Sequence, residues 1–349
     1  MAGWAEGDPA GDRRFLDLPG PLALERGGEL PAVRVAYETW GTLEPDGGNA
    51  VLVEHALTGD SHVVGDAGPG HPTAGWWSGI VGPGAPLDTD RWFVVCANVL
   101  GGCQGTTGPS SAAPDGRPWG SRFPEITVGD QVRVESALAD ALGVDRWACV
   151  VGGSMGGMRA LEWAVAEPER VDALFFLASA AVASADQIGT QTTQQAAIRA
   201  DPADPPVAGL GVARRIAHLT YRSGLELEAR FGSSVQEDGR YAVASYLDHH
   251  AEKLAARFDA GSYLVLTEAM NSWDVGRHRG GVEAALGRVT ARALVAGVDT
   301  DRLYPPEQQQ RVADALGVPL RLISSPYGHD GFLIETATVG GLIRELLGA

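Results

Sequence analysis

Short apolar runs alternate with longer segments whose apolar residues recur at helical spacing, and this alternation restricts the fold more than any other feature of the chain. The apolar runs lie at 50–57, 91–101, 146–153 and 172–181, and the helical segments lie at 126–144 and 158–171. Because strand, helix and strand in succession form a parallel unit, the pattern predicts an α/β fold with a mostly parallel, doubly wound sheet. A further run at 32–41 predicts an antiparallel hairpin at one edge of that sheet.

The alternation stops near residue 182 and resumes near residue 290. The segment between these points is polar, has helical spacing and is rich in glutamine at 187–195. Beyond it the sequence predicts a strand at 290–299, a helix at 306–317, a strand at 320–325 and a last helix at 332–348. We therefore expect an α/β core formed by 1–181 and 287–349, interrupted by a helical lid at 182–286.

The sequence Gly-Gly-Ser-Met-Gly at 152–156 lies between a predicted buried strand and a predicted amphipathic helix. In that context G-x-S-x-G is typical of a nucleophile elbow, where a strained turn exposes the serine hydroxyl and small neighbours avoid collisions. The N-terminus of the following helix also favours negative charge that develops there. Ser154 is therefore the candidate nucleophile. The alternatives are an incidental serine in a glycine-rich turn and a phosphate-binding turn, although the lysine of a P-loop is absent.

A serine nucleophile needs a base and an acid that orients the base, and in the elbow fold these follow in the chain order Ser, Asp or Glu, His. His329 lies in a predicted loop between the last strand and the last helix, where the base is expected. Asp299 and Asp301 both follow the preceding strand, and their spacing does not choose between them.

The negative charge of a tetrahedral intermediate requires two backbone N–H donors in this fold. One donor comes from the residue after the nucleophile, which is Met155. The other comes from the loop after an earlier strand, and the turn at 55–59 offers Leu57 or Thr58.

The composition restricts the partners and the compartment. The net charge of −17 argues against binding to nucleic acid or to an anionic membrane surface. No apolar run reaches the roughly 18 residues of a spanning helix, and the first 15 residues lack the apolar core of a secretory signal. The cysteines at 96, 103 and 149 form neither a disulfide pattern nor a zinc pattern. We therefore expect a cytoplasmic protein without a metal ion.

Seven motifs of this chain resemble those of the homoserine O-acetyltransferases, α/β-hydrolase-fold enzymes of methionine biosynthesis. They are ETWG (38–41), HALTGDSH (55–62), NVLGGCQGTTGPSS (98–111), GGSMGGM (152–158), SYLVLTEAM with DVGR (262–277), DRLYP (301–305) and GHDGF (328–332). The resemblance implies acetyl transfer from acetyl-CoA to the side-chain hydroxyl of L-homoserine through an acetyl-serine intermediate. It also implies that acetyl-CoA is a co-substrate, that no bound cofactor is needed, and that the protein is a homodimer with lid helices at the interface.

The same resemblance matches individual residues to roles. Ser154 matches the nucleophile, Asp301 the acid and His329 the base, which favours Asp301 over Asp299. In addition, Asp330 matches a position that holds the homoserine amine.

The predicted lid contributes the remaining matches. Arg214 resembles the arginine that pairs with the homoserine carboxylate, and Tyr221 resembles a further site residue. Arg215 and Arg222 are adjacent alternatives to Arg214. Three other functions stay open: the same reaction with succinyl-CoA as donor or serine as acceptor, hydrolysis of an ester or thioester, and non-catalytic binding.

Overall fold

The fold is built around a central sheet of eight strands. The computed structural model describes residues 7–348. Residues 1–6 and residue 349 lie outside the described range, so the first part of the segment expected to lack a secretory signal is not described. The strands are β1 (Arg14–Asp17), β2 (Arg34–Trp40), β3 (Ala50–Glu54), β4 (Phe93–Ala97), β5 (Cys149–Gly153), β6 (Ala173–Leu177), β7 (Arg292–Val298) and β8 (Leu320–Ile323). Their order across the sheet is β1-β2-β4-β3-β5-β6-β7-β8. Strands β3 to β8 are parallel, whereas β2 runs antiparallel to both β1 and β4.

Helices connect the parallel strands and fill the predicted lid segment. They are α1 (Val128–Leu142), α2 (Met155–Ala166), α3 (Ala185–Ala200), α4 (Val207–Tyr221), α5 (Gly224–Phe231), α6 (Ala242–Ala255), α7 (Ala260–Asn271), α8 (Val282–Leu286), α9 (Pro306–Leu316), α10 (Gly331–Ile334) and α11 (Thr336–Leu347). Two short strand pairs, Leu22–Ala23 with Glu29–Leu30 and Val81–Gly82 with Leu87–Asp88, lie outside the sheet. In the described part of the chain, none of these helices has the length and apolar character that crossing a membrane requires.

Both faces of the sheet are covered, which explains why the strands read as continuous apolar runs rather than as alternating ones. On one face, Leu52 of β3 belongs to a buried cluster that includes Leu138 of α1 and Trp163 of α2. On the other face, Val53 belongs to a buried cluster that includes Ile343 of α11. Because strands β3 to β8 are parallel, their carboxyl ends form one shared edge.

The segment between β6 and β7 forms helices α3 to α8, and α3 packs although its sequence is polar. Three of its glutamines are buried and hydrogen-bonded inside the protein. Gln187 donates to the carbonyl of Leu303 at 2.8 Å, Gln194 accepts from the Tyr263 hydroxyl at 2.7 Å, and Gln195 donates to Thr267 Oγ1 at 3.0 Å. These bonds satisfy the amide groups and join α3 to α7 and to the loop after β7.

Three predicted elements differ from those observed. The run at 32–41 is one strand, β2, rather than a hairpin, because its antiparallel partners β1 and β4 come from other parts of the chain. The helix expected at 158–171 begins at Met155 and ends at Ala166, before a short 3₁₀ turn at Pro168–Arg170. The last predicted helix is two helices, α10 and α11, since Glu335 leaves the helical region with ψ of 52°.

Candidate active site

Ser154 occupies the sharp turn between β5 and α2. Its φ of 59° and ψ of −125° are strained for a residue with a side chain, as a nucleophile elbow requires. The flanking glycines make the turn possible: a Cβ on Gly152 would collide with the backbone of Gly156, and a Cβ on Gly156 with the carbonyl of Glu54. The Ser154 carbonyl accepts a hydrogen bond from Ser179 Oγ at 2.7 Å, which anchors the turn to the loop after β6.

Asp301 and His329 meet at the same edge of the sheet, on the loops after β7 and β8. Nδ1 of His329 donates to Oδ2 of Asp301 at 2.6 Å, and both side chains are buried. The other carboxylate oxygen of Asp301 accepts the backbone N–H groups of Leu303 at 2.8 Å and Tyr304 at 2.9 Å. These bonds hold the carboxylate so that it orients the imidazole ring.

Asp299, the alternative acid, has a different contact. Its Oδ1 accepts the backbone N–H of Ser325 at 3.0 Å, which ties together the loops after β7 and β8. The geometry therefore pairs His329 with Asp301 and gives Asp299 a structural position.

The second nitrogen of His329 is available to a reacting group. Nε2 is buried and has no hydrogen-bond partner among residues 7–348. The centroids of the His329 and Phe332 rings lie 5.2 Å apart. The Phe332 ring also lies against Gly153, where an added Cβ would meet it at 2.6 Å. Helix α10, which directly follows the His329 turn, thus packs against the elbow that carries Ser154.

Each candidate oxyanion donor lies at this edge of the sheet. Met155 is the first residue of α2, so its N–H has no partner within the helix ladder. Leu57 and Thr58 lie on the turn after β3. This turn lies close to the elbow: a Cβ added to Gly156 would be only 3.0 Å from the carbonyl oxygen of His55.

Comparison with known proteins identifies the fold and the family. A family model described as alpha/beta hydrolase fold matches residues 49–336, and the predicted fold class is confirmed. The homoserine O-acetyltransferase of Thermobifida fusca (strain YX) is 62% identical over 365 residues, covering 99% of this chain and 96% of that protein. The chain belongs to the homoserine O-acetyltransferase family.

Two solved structures define the architectural likeness. The homoserine O-acetyltransferase from Bacillus anthracis matches with a TM-score of 0.89 at 24% identity, covering 97% of this chain and 98% of that chain, and this likeness concerns the fold. Esterase E22 matches with a TM-score of 0.88 at 26% identity, covering 96% of this chain and 99% of that chain. The fold therefore accommodates both acyl transfer and ester hydrolysis.

Arg214 and Arg215 are adjacent on α4 but have different surroundings. Nη1 of Arg214 lies 3.4 Å from Thr58 Oγ1, and its guanidinium lies 5.2 Å from the centre of the Tyr221 ring. Arg215 forms an ion pair with Asp248 at 2.9 Å, and its side chain is 41% exposed. Of the two, Arg214 is therefore the one that reaches the turn beside Ser154.

Arg222 and Asp330 form a second charged group next to His329. Nη1 of Arg222 lies 3.4 Å from Oδ2 of Asp330, and its Nη2 donates to Glu226 at 2.7 Å. Burial raises the pKa of Asp330, and the positive charges of His329, Arg214 and Arg222 act against this shift. Because Arg222 already has two carboxylate partners, it is less free than Arg214 to bind a substrate carboxylate.

Sequence reasoning missed two further residues of this site. Tyr304 is fully buried, its ring lies 5.1 Å from the His329 ring, and burial raises the pKa of its hydroxyl. Arg257, in the loop after α6, donates from Nη2 to the carbonyl of Thr58 at 2.8 Å. The DRLYP motif contains Tyr304 and could have drawn attention to it, whereas Arg257 has no local signature because its contact depends on tertiary packing.

Four side chains away from the triad could in principle supply metal ligands: Asp12, Glu38, His62 and His71 each place one ligand atom within 4.8 Å of the others. His62 Nδ1 lies 2.9 Å from Glu38, and His71 Nε2 accepts the backbone N–H of Asp12 at 2.9 Å. The two imidazole rings stack with centroids 3.7 Å apart, so their lone pairs lie in parallel planes rather than converge on one point. This arrangement favours an internal hydrogen-bond network, and the absence of a metal remains a prediction.

Proposed function

We propose that the chain transfers the acetyl group of acetyl-CoA to the side-chain hydroxyl of L-homoserine, giving O-acetyl-L-homoserine and CoA. The observation that carries this proposal is the Asp301–His329 pair beside the Ser154 elbow, in a chain 62% identical to a homoserine O-acetyltransferase over nearly its whole length. Two half-reactions use the same residues in turn.

In the first half-reaction, Ser154 Oγ attacks the thioester carbonyl while its proton passes to Nε2 of His329. Asp301 stabilises the imidazolium that forms, and the N–H groups of Leu57 and Met155 stabilise the oxyanion. When the intermediate collapses, the C–S bond breaks and the CoA sulfur takes the proton from His329. The products are CoA and acetyl-Ser154.

In the second half-reaction, the homoserine hydroxyl attacks acetyl-Ser154 and gives its proton to Nε2 of His329. The ester bond to Ser154 then breaks, and the serine oxygen recovers the proton. The sequence of steps predicts ping-pong kinetics, because CoA leaves before homoserine reacts.

Homoserine is a zwitterion, so its recognition requires groups of both signs. We assign its carboxylate to Arg214 and its ammonium group to Asp330, with Tyr221 as a further contact. Arg214 is suited to this role because its Nε is buried without a hydrogen-bond partner in the described range. Helices of the lid would exclude water from acetyl-Ser154, so that transfer exceeds hydrolysis.

The test is covalent labelling with acetyl-CoA that carries a radioactive acetyl group. Wild-type protein should retain the label until homoserine is added, and Ser154→Ala should retain none. A labelled Ser154→Ala protein would contradict the assignment of the nucleophile. A parallel comparison of acetyl-CoA with succinyl-CoA identifies the donor.

Ester or thioester hydrolysis is the second candidate function, and the likeness to esterase E22 favours it. The two functions differ in how they use the acceptor. Acetyl transfer requires CoA release to accelerate strongly when homoserine is added, with O-acetyl-L-homoserine formed in equal amount. A hydrolase would release CoA and acetate at the same rate with and without homoserine.

The homodimer and the cytoplasmic location are also proposals, drawn from the family resemblance. Exposed apolar side chains on the lid helices support an interface there: Val212 and Leu219 on α4 are 47% and 40% exposed, and Leu225 on α5 is 78% exposed. Light scattering of the purified protein should give twice the mass of the chain, and Leu225→Asp should reduce it to the monomer mass.

A further inference from the structure

The turn after β3, residues 55–59, is held by the side chain of its own first residue. Nδ1 of His55 bonds to the carbonyl of Ala56 at 2.8 Å, and Nε2 accepts the backbone N–H of Val99 at 3.1 Å. The N–H of Gly59 donates to the same Ala56 carbonyl at 2.8 Å. The imidazole therefore connects the turn to the loop that follows β4.

These contacts determine the protonation of His55. Because Nε2 accepts a hydrogen bond, the ring proton resides on Nδ1 and is donated to Ala56. Burial and the charge of Arg159 lower the pKa of His55 to about 3, so the ring is neutral under physiological conditions. A neutral histidine with one donor and one acceptor satisfies both backbone partners.

The bond to Ala56 orients the next peptide group. In a trans peptide the N–H points opposite to the preceding carbonyl, so the direction of the Ala56 carbonyl determines that of the Leu57 N–H. We propose that His55 is a positioning residue that directs the Leu57 N–H to the oxyanion formed at Ser154. This inference rests on the proposed function, because it assumes acyl chemistry at Ser154.

A second buried side chain holds the preceding peptide. Nη2 of Arg159, on α2, donates to the carbonyl of His55 at 2.6 Å, while Nη1 pairs with Glu54 and Glu135 at 2.6 Å each. The Arg159 side chain is completely buried. Since α2 begins directly after Ser154, the helix that presents the nucleophile also fixes the turn that presents Leu57.

Two substitutions separate the two bonds of His55. In His55→Asn the side-chain amide can still donate to Ala56, whereas in His55→Gln the longer amide can still accept from Val99. We expect His55→Gln to lower the rate of Ser154 acetylation about 10²-fold, the effect of losing one oxyanion donor, with little change in the KM for the acyl donor. His55→Asn should retain most of the rate.

The assay is the burst of p-nitrophenol released from p-nitrophenyl acetate, since it needs neither CoA nor homoserine. The affinity for a small alkyl boronic acid, which forms a tetrahedral anion on Ser154, should fall in parallel with the burst rate. A purely structural role would lower thermal stability in both variants and leave boronate affinity unchanged in the folded fraction. His71→Gln is the matched control, because His71 is also buried and its Nε2 also accepts a backbone N–H, that of Asp12.

The proposal is overturned if both variants keep the wild-type burst, or if both lose it equally. Should His55→Gln fail to fold, a large loss of burst rate in folded His55→Asn would by itself overturn it. Failure of the proposed function has a different signature: wild-type protein would show the burst but would not form O-acetyl-L-homoserine.

Discussion

The sheet edge and the predicted lid hold the candidate site residues in different ways. At the sheet edge, Ser154, Asp301 and His329 follow the ends of strands. Ser179 Oγ donates to the Ser154 carbonyl, the Leu303 N–H donates to Asp301, and Asp301 in turn holds His329. In the lid, Arg214 and Arg222 lie on or just after a helix whose position depends on packing against other helices. The proposed covalent chemistry therefore uses residues that the ends of the sheet strands position.

This division between sheet edge and lid also indicates which residues would carry out the reaction and which would select the acceptor. Esterase E22 shares the whole architecture at 26% identity, so the architecture alone does not choose between water and an amino-acid acceptor. A zwitterionic acceptor must be bound by charged groups, and in the proposed function Arg214 of the lid binds its carboxylate. Variants at the edge should thus impair both half-reactions, whereas variants in the lid should impair the second.

Asp301→Asn tests the edge and should have the largest effect. The amide cannot stabilise the imidazolium and favours the wrong tautomer of His329, so both half-reactions should slow about 10⁴-fold. The measurements are the rate of Ser154 acetylation and the rate of O-acetyl-L-homoserine formation. Asp299→Asn is the matched control and should retain most of the activity, because Asp299 bonds to the Ser325 N–H rather than to His329. Equal losses in the two variants would contradict the pairing.

The same contrast explains what could be predicted. The order of strands and helices follows from apolar runs, since a parallel sheet covered on both faces leaves that pattern in the sequence. The elbow at Ser154 could be predicted because its glycines are required locally. The break at Glu335 could not, since the apolar period continues through it.

In the lid, the sequence identifies candidate arginines for the substrate carboxylate but does not choose among them. Arg214, Arg215 and Arg222 are neighbours along the chain, and only the packing of α4 separates their contacts. Arg215 pairs with Asp248 of α6, whereas Arg222 pairs with Glu226 of α5. Arg257 contacts Thr58 from a loop about 200 residues away along the chain. Patterns of local periodicity do not predict a contact at that sequence separation.

Arg214→Ala tests the lid and should have an intermediate effect. Loss of the half-buried guanidinium proposed to bind the carboxylate should weaken homoserine binding by about 2–4 kcal/mol, roughly a 10²-fold increase in KM. Acetylation of Ser154 should stay near the wild-type rate, because the first half-reaction does not involve homoserine. Arg215→Ala removes an exposed arginine from the same helix and should change neither quantity. A comparable loss of acetylation in Arg214→Ala would break the division between edge and lid.

Asp330 joins the two regions, because it follows His329 in the chain and contacts Arg222 of the lid. If its carboxylate binds the homoserine ammonium group, Asp330→Asn should raise the KM for homoserine about tenfold, the scale of one charged hydrogen bond. Burial raises the pKa of Asp330, so in wild-type protein the carboxylate is lost at a higher pH than for an exposed aspartate.

The sign of the pH effect follows directly. Binding is strongest above the raised pKa and weakens as the pH falls through it, so the KM for homoserine should rise with acidity in wild-type protein and stay nearly constant in Asp330→Asn. KM is the quantity to measure, because Asp330 is proposed to act in the binding of homoserine. Parallel KM profiles would show that Asp330 serves Arg222 rather than the substrate. The residue would then belong to the structural framework of the edge, and recognition of the ammonium group would have to come from elsewhere in the site.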